Sequence, residues 1–245
     1  MTTSGYTRFC PVAMACEMLE PRWTMLILCE MWSGSTRFSE IHRGVPGMSP
    51  SLLSRRLRQM QDRGLVERFE ATANGQIAYR TTQLADELEP IVNALGHWAH
   101  RHLDPAIGTD RLDAKVLMWN IRRKIDLRAL PRRRCVIEFV IDEPNDVTGR
   151  YWLIIRPNAD VDLCMVDPRH DVDLFILAQL KALAAAWMGY SHFATEIAAE
   201  RIRLVGDQTL ARTLSRWLIR SSFAIAAEGP SSHAPVNARS AAGLR

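Results

Sequence analysis

Lysine is nearly missing from this chain: of its 31 basic residues 28 are Arg, and only Lys115, Lys124 and Lys181 are Lys. Guanidinium forks suit phosphate and guanine, although a genome-wide bias toward arginine gives the same composition. Paired cysteine is missing as well. Cys10, Cys16, Cys29, Cys135 and Cys164 are odd in number and show no CxxC or Cys/His ligand spacing, which argues against a disulfide framework or a zinc site. Long apolar runs are absent. Stretches such as Ala182 to Met188 fall far short of the roughly 20 residues that span a bilayer. The N-terminus shows no charged-then-apolar signal pattern. Together these absences point to a cytoplasmic protein with reduced thiols and no membrane partner. No P-loop, dinucleotide fingerprint or nucleophile elbow is present. The seven histidines are scattered, and the one grouping that shares a helix face, His97, His100 and Asp104, reads as solvated. The chain is therefore not read as an enzyme, and no cofactor or metal is expected.

What is present is ordinary for globular protein: 47 % apolar and 24 % charged residues in a chain of 245, enough for two modest domains. Of the overall charge of +4, the location says more than the total. Between Arg37 and Arg80 eight Arg stand against four carboxylates, a modest excess that becomes a larger basic surface only when two copies lie side by side.

Within that stretch, Met48 to Arg68 is the most informative segment. Ser49 is a good N-cap, and Pro50 follows at the first helical position, where its missing N–H costs nothing. Leu52, Leu53, Leu57 and Met60 form one apolar stripe. Ser51, Arg55, Arg58 and Asp62 fall on the opposite side, with Ser54 at its edge. Arg56, on the apolar side, is read as structural. Gly64 stands where a helix C-cap glycine belongs. The segments Leu65–Glu70 and Gln76–Thr81 flank Asn74-Gly75, a strong hairpin signal. Arg68 and Arg80 lie on its two arms, suited to phosphate contact and equally to plain solvation.

Upstream, a helix over Cys10–Glu20 would line Val12, Cys16 and Leu19 along one side. Pro21 breaks it, and the apolar helix Trp23–Trp32 is expected to be buried all round. Phe38, Ile41 and Val45 point inward, with Ser39 as cap, before the Pro46-Gly47 turn. Two short helices joined by a tight turn have helix-turn-helix spacing. Downstream, Leu84, Leu88, Ile91, Leu95 and Trp98 recur alternately four and three residues apart along a helix from Gln83 to His102, with Pro90 as a kink. Such a seam packs on the protein's own core or on a second copy. The second option is favoured because one head with so little charge binds DNA weakly.

The spacing then changes. Residues 103–112 read as a linker, followed by a helix over Ala114–Ile125 and the basic run Arg132–Arg134. Strands are expected at Cys135–Ile141, Tyr151–Arg156, Val161–Val166 and Val172–Ile176, then helices at Leu177–Met188, His192–Arg201 and Gln208–Arg220, with Gly206-Asp207 as a turn. The fold class is α+β. Residues 225–245, rich in Ala, Ser, Gly and Pro, read as a disordered tail.

Residues 9 to 102 resemble the HxlR family of bacterial winged-helix regulators. The resemblance rests on a collinear string: Cys10-Pro11-Val12, Arg22-Trp23-Thr24, Arg37-Phe38-Ser39-Glu40-Ile41, Val45-Pro46-Gly47-Met48-Ser49, Leu52-Leu53-Ser54-Arg55-Arg56-Leu57 and Gly64-Leu65-Val66-Glu67-Arg68. The wing departs from the family, since Ala73 to Thr82 lacks the proline and the Val-Glu-Tyr ending that members carry. The resemblance implies an N-terminal winged helix-turn-helix domain over residues 1–102, a homodimer joined by its terminal helices, and a pseudo-palindromic operator in double-stranded DNA. It also makes Cys10 a candidate redox sensor, with Arg8 and the first helix N-terminus as activators. An inert thiol near the dimer interface is the competing reading.

Residues 113 to 220 look like a sterol carrier protein type 2-like domain. The resemblance rests on the strands before Asp167-Pro168, on the Asp171–Ile176 strand, and on Arg203-Leu204-Val205-Gly206-Asp207 before a last Leu/Trp helix. It implies a ligand-binding domain over 113–224 with an apolar tunnel. Trp119, Phe139, Trp152, Phe175, Trp187 and Met188 are available to line that tunnel or to serve as plain core.

The expected mechanism is a dimeric regulator with the Ser49–Arg63 helix in the major groove. Arg55 and Arg58 would meet guanine or phosphate. Ser49, Ser51 and Ser54 would sit near the helix N-terminus at bases or backbone, and Arg37, Arg68 and Arg80 would grip the backbone. A small hydrophobic ligand or Cys10 would provide control. The alternative is a lipid- or acyl-ligand carrier that uses its winged helix only to dimerise.

Overall fold

Proline and serine set the helix starts near the N-terminus of the computed structural model, which describes residues 9–71, 75–104, 112–143, 147–157 and 160–226. Pro11 opens α1 (Pro11–Leu19), with Cys10 at its cap position. Pro50 opens α4 (Pro50–Asp62), where the Ser49 hydroxyl accepts from the Leu52 backbone N–H at 3.2 Å. Between them stand α2 (Thr24–Trp32) and α3 (Phe38–Gly44). Ser39 does not cap α3. Arg37 holds the cap position, and the Glu40 carboxylate reaches back to accept from the Thr36 and Arg37 N–H groups at 3.1 and 3.0 Å. After α4 the chain turns through Gly64, whose φ of +71° is a left-handed conformation that glycine adopts without penalty. β1 (Val66–Glu70) then pairs antiparallel with β2 (Ile77–Thr81). Asn74 of the hairpin signal lies outside the described residues.

Ile27, Leu28, Ile41, Leu53, Leu57 and Met60 make the centre of this core. Each such side chain contributes about 1.5–3 kcal/mol by leaving water. One expectation fails here. α2 is not buried all round, because Met25 and Leu26 face out. No residue of α1 is buried either, and Val12, on the side it shares with Cys16 and Leu19, is 70 % exposed. A single layer of short helices covers only one face of each.

The helix predicted from Gln83 to His102 is broken into α5 (Gln83–Asp86) and α6 (Glu89–His102). Pro90 has no N–H to offer the Asp86 carbonyl, so the chain steps out at Glu87 and Leu88. The chain divides into two units within α6, at residues 1–95 and 96–245.

The second unit is a sheet in the order β5-β4-β3-β6-β7: β3 (Cys135–Glu143), β4 (Val147–Ile155), β5 (Asp162–Cys164), β6 (Leu174–Gln179) and β7 (Ile202–Gly206). β3 pairs parallel with β6; the other pairings are antiparallel. Cys135, Ile137, Phe139 and Ile141 join the apolar core that includes residues of α7 (Ala114–Ile121), α8 (Leu180–Met188) and α9 (Phe193–Ala198). Val136, Glu138 and Val140 alternate to the opposite face. β5 and β6 lie on opposite sides of the β4–β3 pair, so Met165–Asp173 must cross the sheet. Asp167 then comes close enough to reinforce, behind Glu138, the field that raises the basicity of Arg150.

Several C-terminal expectations are corrected. β6 runs on to Gln179, three residues into the expected helix, and starts at Leu174 because Asp173 is tied by backbone and carboxylate to Val136. β7 was not expected as a strand. The last helix divides at Thr213 into α10 (Gln208–Arg212) and α11 (Leu214–Trp217), where the Thr213 hydroxyl donates to the Thr209 carbonyl at 2.7 Å. The chain then pairs back on itself: the Trp217 carbonyl accepts from Asp126 N–H and Ile219 N–H donates to the Lys124 carbonyl, each at 2.8 Å. α12 (Ser222–Ala226) follows, and the predicted tail beyond it lies outside the described residues. So do residues 105–111 of the predicted linker. His97 and His100 are packed rather than solvated. His97 meets Phe223 edge-on at 5.1 Å, and His100 stacks on Tyr190 at 4.5 Å while its Nε2 donates to the Met188 carbonyl at 2.7 Å.

Candidate nucleic-acid interface

α4 carries its two faces as the spacing predicts. Leu53, Leu57 and Met60 are buried, while Ser51, Ser54, Arg55 and Arg58 are exposed together on the other side. The Ser49 and Ser51 hydroxyls lie 3.1 Å apart at the helix start, and Ser49 is already engaged as the cap. Arg56 is half-buried, donates to Gln59 Oε1 at 2.7 Å, and has its Nε buried with no hydrogen-bond partner. Burial also lowers its basicity, so it packs rather than reads.

Both ends of α4 are anchored by residues that periodicity did not single out. At its C-terminal end Arg63 Nη1 donates to the carbonyls of Glu17 and Met18 at 3.0 and 2.8 Å, closing the end of α1. At its N-terminal side Trp23 holds a left-handed φ of +85° and places its ring against the turn. A Cβ on Gly47 would stand 2.8 Å from the ring. A bulky residue in that conformation stores about 1–3 kcal/mol of strain. His42 Nε2 donates across the same turn to the Met48 carbonyl at 2.9 Å. The signal for Trp23 and Gly47 was present only in the Arg22-Trp23-Thr24 and Val45-Pro46-Gly47 strings.

The wing arginines are not brought together. Arg68 stands opposite Tyr79 and Arg80 opposite Glu67, so the two point to different faces of the ribbon. Arg80 lies 2.8 Å from Glu67 Oε2 and 5.3 Å above the Phe69 ring. Arg68 is exposed, as is Arg37 at the start of α3.

The HxlR-like helix-turn-helix family model matches residues 18–107. YvaP of Bacillus subtilis (strain 168), described as an uncharacterized HTH-type transcriptional regulator, is 33 % identical over 102 residues, covering 41 % of this chain and 94 % of that protein. The chain belongs to the HxlR-like helix-turn-helix family. An uncharacterized HTH-type transcriptional regulator of Methanothermobacter thermautotrophicus is 32 % identical over 90 residues, 36 % of this chain and 69 % of that one. The solved reduced form of the regulator YodB from B. subtilis is 28 % identical and covers 39 % of this chain and 96 % of its own, with a TM-score of 0.36.

Around this HxlR-like head, Cys10 is half-exposed at the start of α1, and Arg8 lies outside the described residues. Phe9, Val12 and Met14 are exposed about α1, and Leu84, Ile91 and Leu95 along α5 and α6. Leu88 alone of the predicted seam turns inward within this unit, against the core.

In the second unit, beyond the HxlR-like match, the six expected tunnel residues do not converge. Phe139, Trp187 and Met188 belong to the core on the helix side. Trp152 and Phe175 both stand opposite Glu138, which places them on the other face of the sheet. Trp119 is buried with the Arg122 guanidinium 3.6 Å above its ring. A cavity of about 610 Å³ opens elsewhere, lined by His192, Phe193, Thr195, Ser215, Ile219 and Arg220 among others, and by none of the six. Among the described residues no group of His, Cys, Asp and Glu could hold a metal ion, and no helix is long and apolar enough to cross a membrane.

Proposed function

We propose that this protein is a DNA-binding transcription regulator that acts in the cytoplasm as a homodimer. The observation that carries this reading is the exposed Ser51, Ser54, Arg55 and Arg58 face on a helix fixed at both ends in an HxlR-like head. α4 enters the major groove, with half-sites about one helical turn apart. Arg55 and Arg58 donate bidentately to guanine or hold phosphates, and Ser51 and Ser54 contact bases or backbone near the helix start. Ser49 shapes that start as its cap. Arg37 and Arg68 grip the backbone. Arg80 can leave its exposed pair with Glu67, which is worth only about 0–1 kcal/mol, to do the same. The apolar side chains left uncovered on α1, α5 and α6 support dimerisation through these helices.

Control comes through the second unit or through Cys10. The cavity there has the size of a small-ligand site and supports a ligand-sensing reading of the second unit, at a place other than the sterol-carrier-like tunnel expected from the sequence. A ligand shifts the regulator only if it binds two arrangements with different affinity. The same cavity favours a second reading, a carrier of lipid or acyl ligands whose winged helix serves only to dimerise. Fluorescence anisotropy on DNA from upstream of the gene, against a scrambled duplex at several salt concentrations, decides between them. Preference for the upstream duplex with a steep salt slope is the regulator's result, and equal weak binding to both is the carrier's. Loss of binding under a mild thiol oxidant, absent in Cys10→Ser, is the result expected of a sensor. Unchanged binding removes Cys10 from the mechanism.

A further inference from the structure

We infer that the second unit carries its own nucleic-acid surface, a sequence-independent phosphate-binding corner built around Arg132, Arg134, Arg212 and Arg216. The inference rests on the DNA-binding reading above and adds a contact outside the helix-turn-helix head.

Charge on this chain is concentrated. Residues 122–134 and 207–220, 27 in all, hold ten cations and two carboxylates, while the other 218 residues hold 21 basic and 25 acidic side chains. The chain therefore owes its positive charge to this corner.

The structure stitches the two segments together. Asp126 N–H reaches the Trp217 carbonyl, Ile219 N–H reaches the Lys124 carbonyl, and Ile125 forms a bridge with Leu218. Arg133 spans from Asp173 at 2.7 Å to Asp207, the cap of α10, at 3.4 Å.

Both carboxylates of the corner are already committed. Asp126 takes both the side chain and the backbone N–H of Arg128, and Asp207 accepts from Leu210 and Thr209 N–H besides Arg133. These donors hold both carboxyls below their usual range. Among the described residues, Arg132, Arg134, Arg212 and Arg216 are all exposed and none has a carboxylate partner.

The chemistry favours nucleic acid over a membrane surface. Membrane-surface elements set large apolar side chains beside their cations. Among the described residues neither segment exposes one. Planar guanidinium forks without apolar neighbours match phosphate oxygens.

The test uses the full chain on the upstream and scrambled duplexes across a salt series. Arg132→Ala with Arg134→Ala, and Arg212→Ala with Arg216→Ala, are compared with Lys115→Ala and Lys181→Ala, which remove equal charge from exposed positions elsewhere in the same unit. Each corner double should weaken both duplexes by the same factor, about 3- to 30-fold at low salt, and flatten the salt slope by about 1–2. The control double should match the parent. Corner variants that behave like the control overturn the inference. So does salt-sensitive pelleting of the parent with vesicles of phosphatidylserine and phosphatidylcholine in equal parts, lost in the corner variants while the DNA slope stays put. The two proposals fail separately. If the parent does not distinguish upstream from scrambled DNA, the operator reading falls, and the slope difference on the scrambled duplex still decides the corner.

Discussion

Arg55 and Arg58 project from a helix whose opposite side is locked in a core, so truncating either should leave the fold intact and change only what the face reads. Arg55→Ala or Arg58→Ala should cost about 1–3 kcal/mol of operator affinity if guanine is read, measured by anisotropy beside an unchanged melting temperature. Gly47→Ala should do the reverse. Its methyl meets the Trp23 ring at 2.8 Å, so the turn must shift, and both stability and operator binding should fall, by about 1–3 kcal/mol in a thermal melt. A third residue speaks to acid stability. Glu196 is buried and accepts from Arg201 Nε at 2.6 Å and from the Ser191 hydroxyl. These partners, Arg201 first, hold its carboxyl below the usual glutamate range. The stabilisation of a depressed carboxylate is full above the unfolded value, roughly 4.3, and is lost as the pH falls through the folded one. Glu196→Gln should therefore be less stable at neutral pH and lose less on acidification, followed by tryptophan fluorescence. The α4 cap, stripe and exposed arginines were legible in sequence because helical spacing reports them directly. Arg63 and Trp23 were not, because their roles depend on Glu17, Met18 and Gly47, which only the fold brings near.

Elements with a local cause were legible and those with a distant one were not. Ser49, Pro50 and Gly64 mark α4 within its own sequence, and the wing strands flank their own turn. β7 has no such mark. Ile202–Gly206 becomes a strand because β6 offers it an edge, and β6 itself runs on to Gln179 because β3 pairs with it as far as Asp142. The tunnel residues failed likewise: a list of aromatics carries no strand register, and register sends Phe139 one way and Trp152 the other. The break before Pro90, by contrast, needed nothing beyond the missing N–H. α6 yields its own prediction. Ile91 and Leu95 are 56 % and 53 % exposed. Ile91→Glu should give a folded monomer by sedimentation, with far weaker operator binding, because a single head retains only half of the phosphate contacts. An unchanged dimer would place the interface elsewhere.

At the scale of the whole molecule, the two units differ in how their sequences close. The head's core draws on Ile27 through Ala85, a short span of chain with mostly neighbouring partners. The second unit is closed by its extremes: the backbone of Lys124, Ile125 and Asp126 pairs with that of Trp217, Leu218 and Ile219, and β3 waits for β6 across the crossing of Met165–Asp173. Chains emerge from the ribosome N-terminus first, at about 5–20 residues per second. The head is thus complete while the second unit is still an unsealed sheet. Whatever the second unit senses or grips is added to a DNA reader that already exists. Premature termination anywhere between the head and Trp217 would release that reader without its companion.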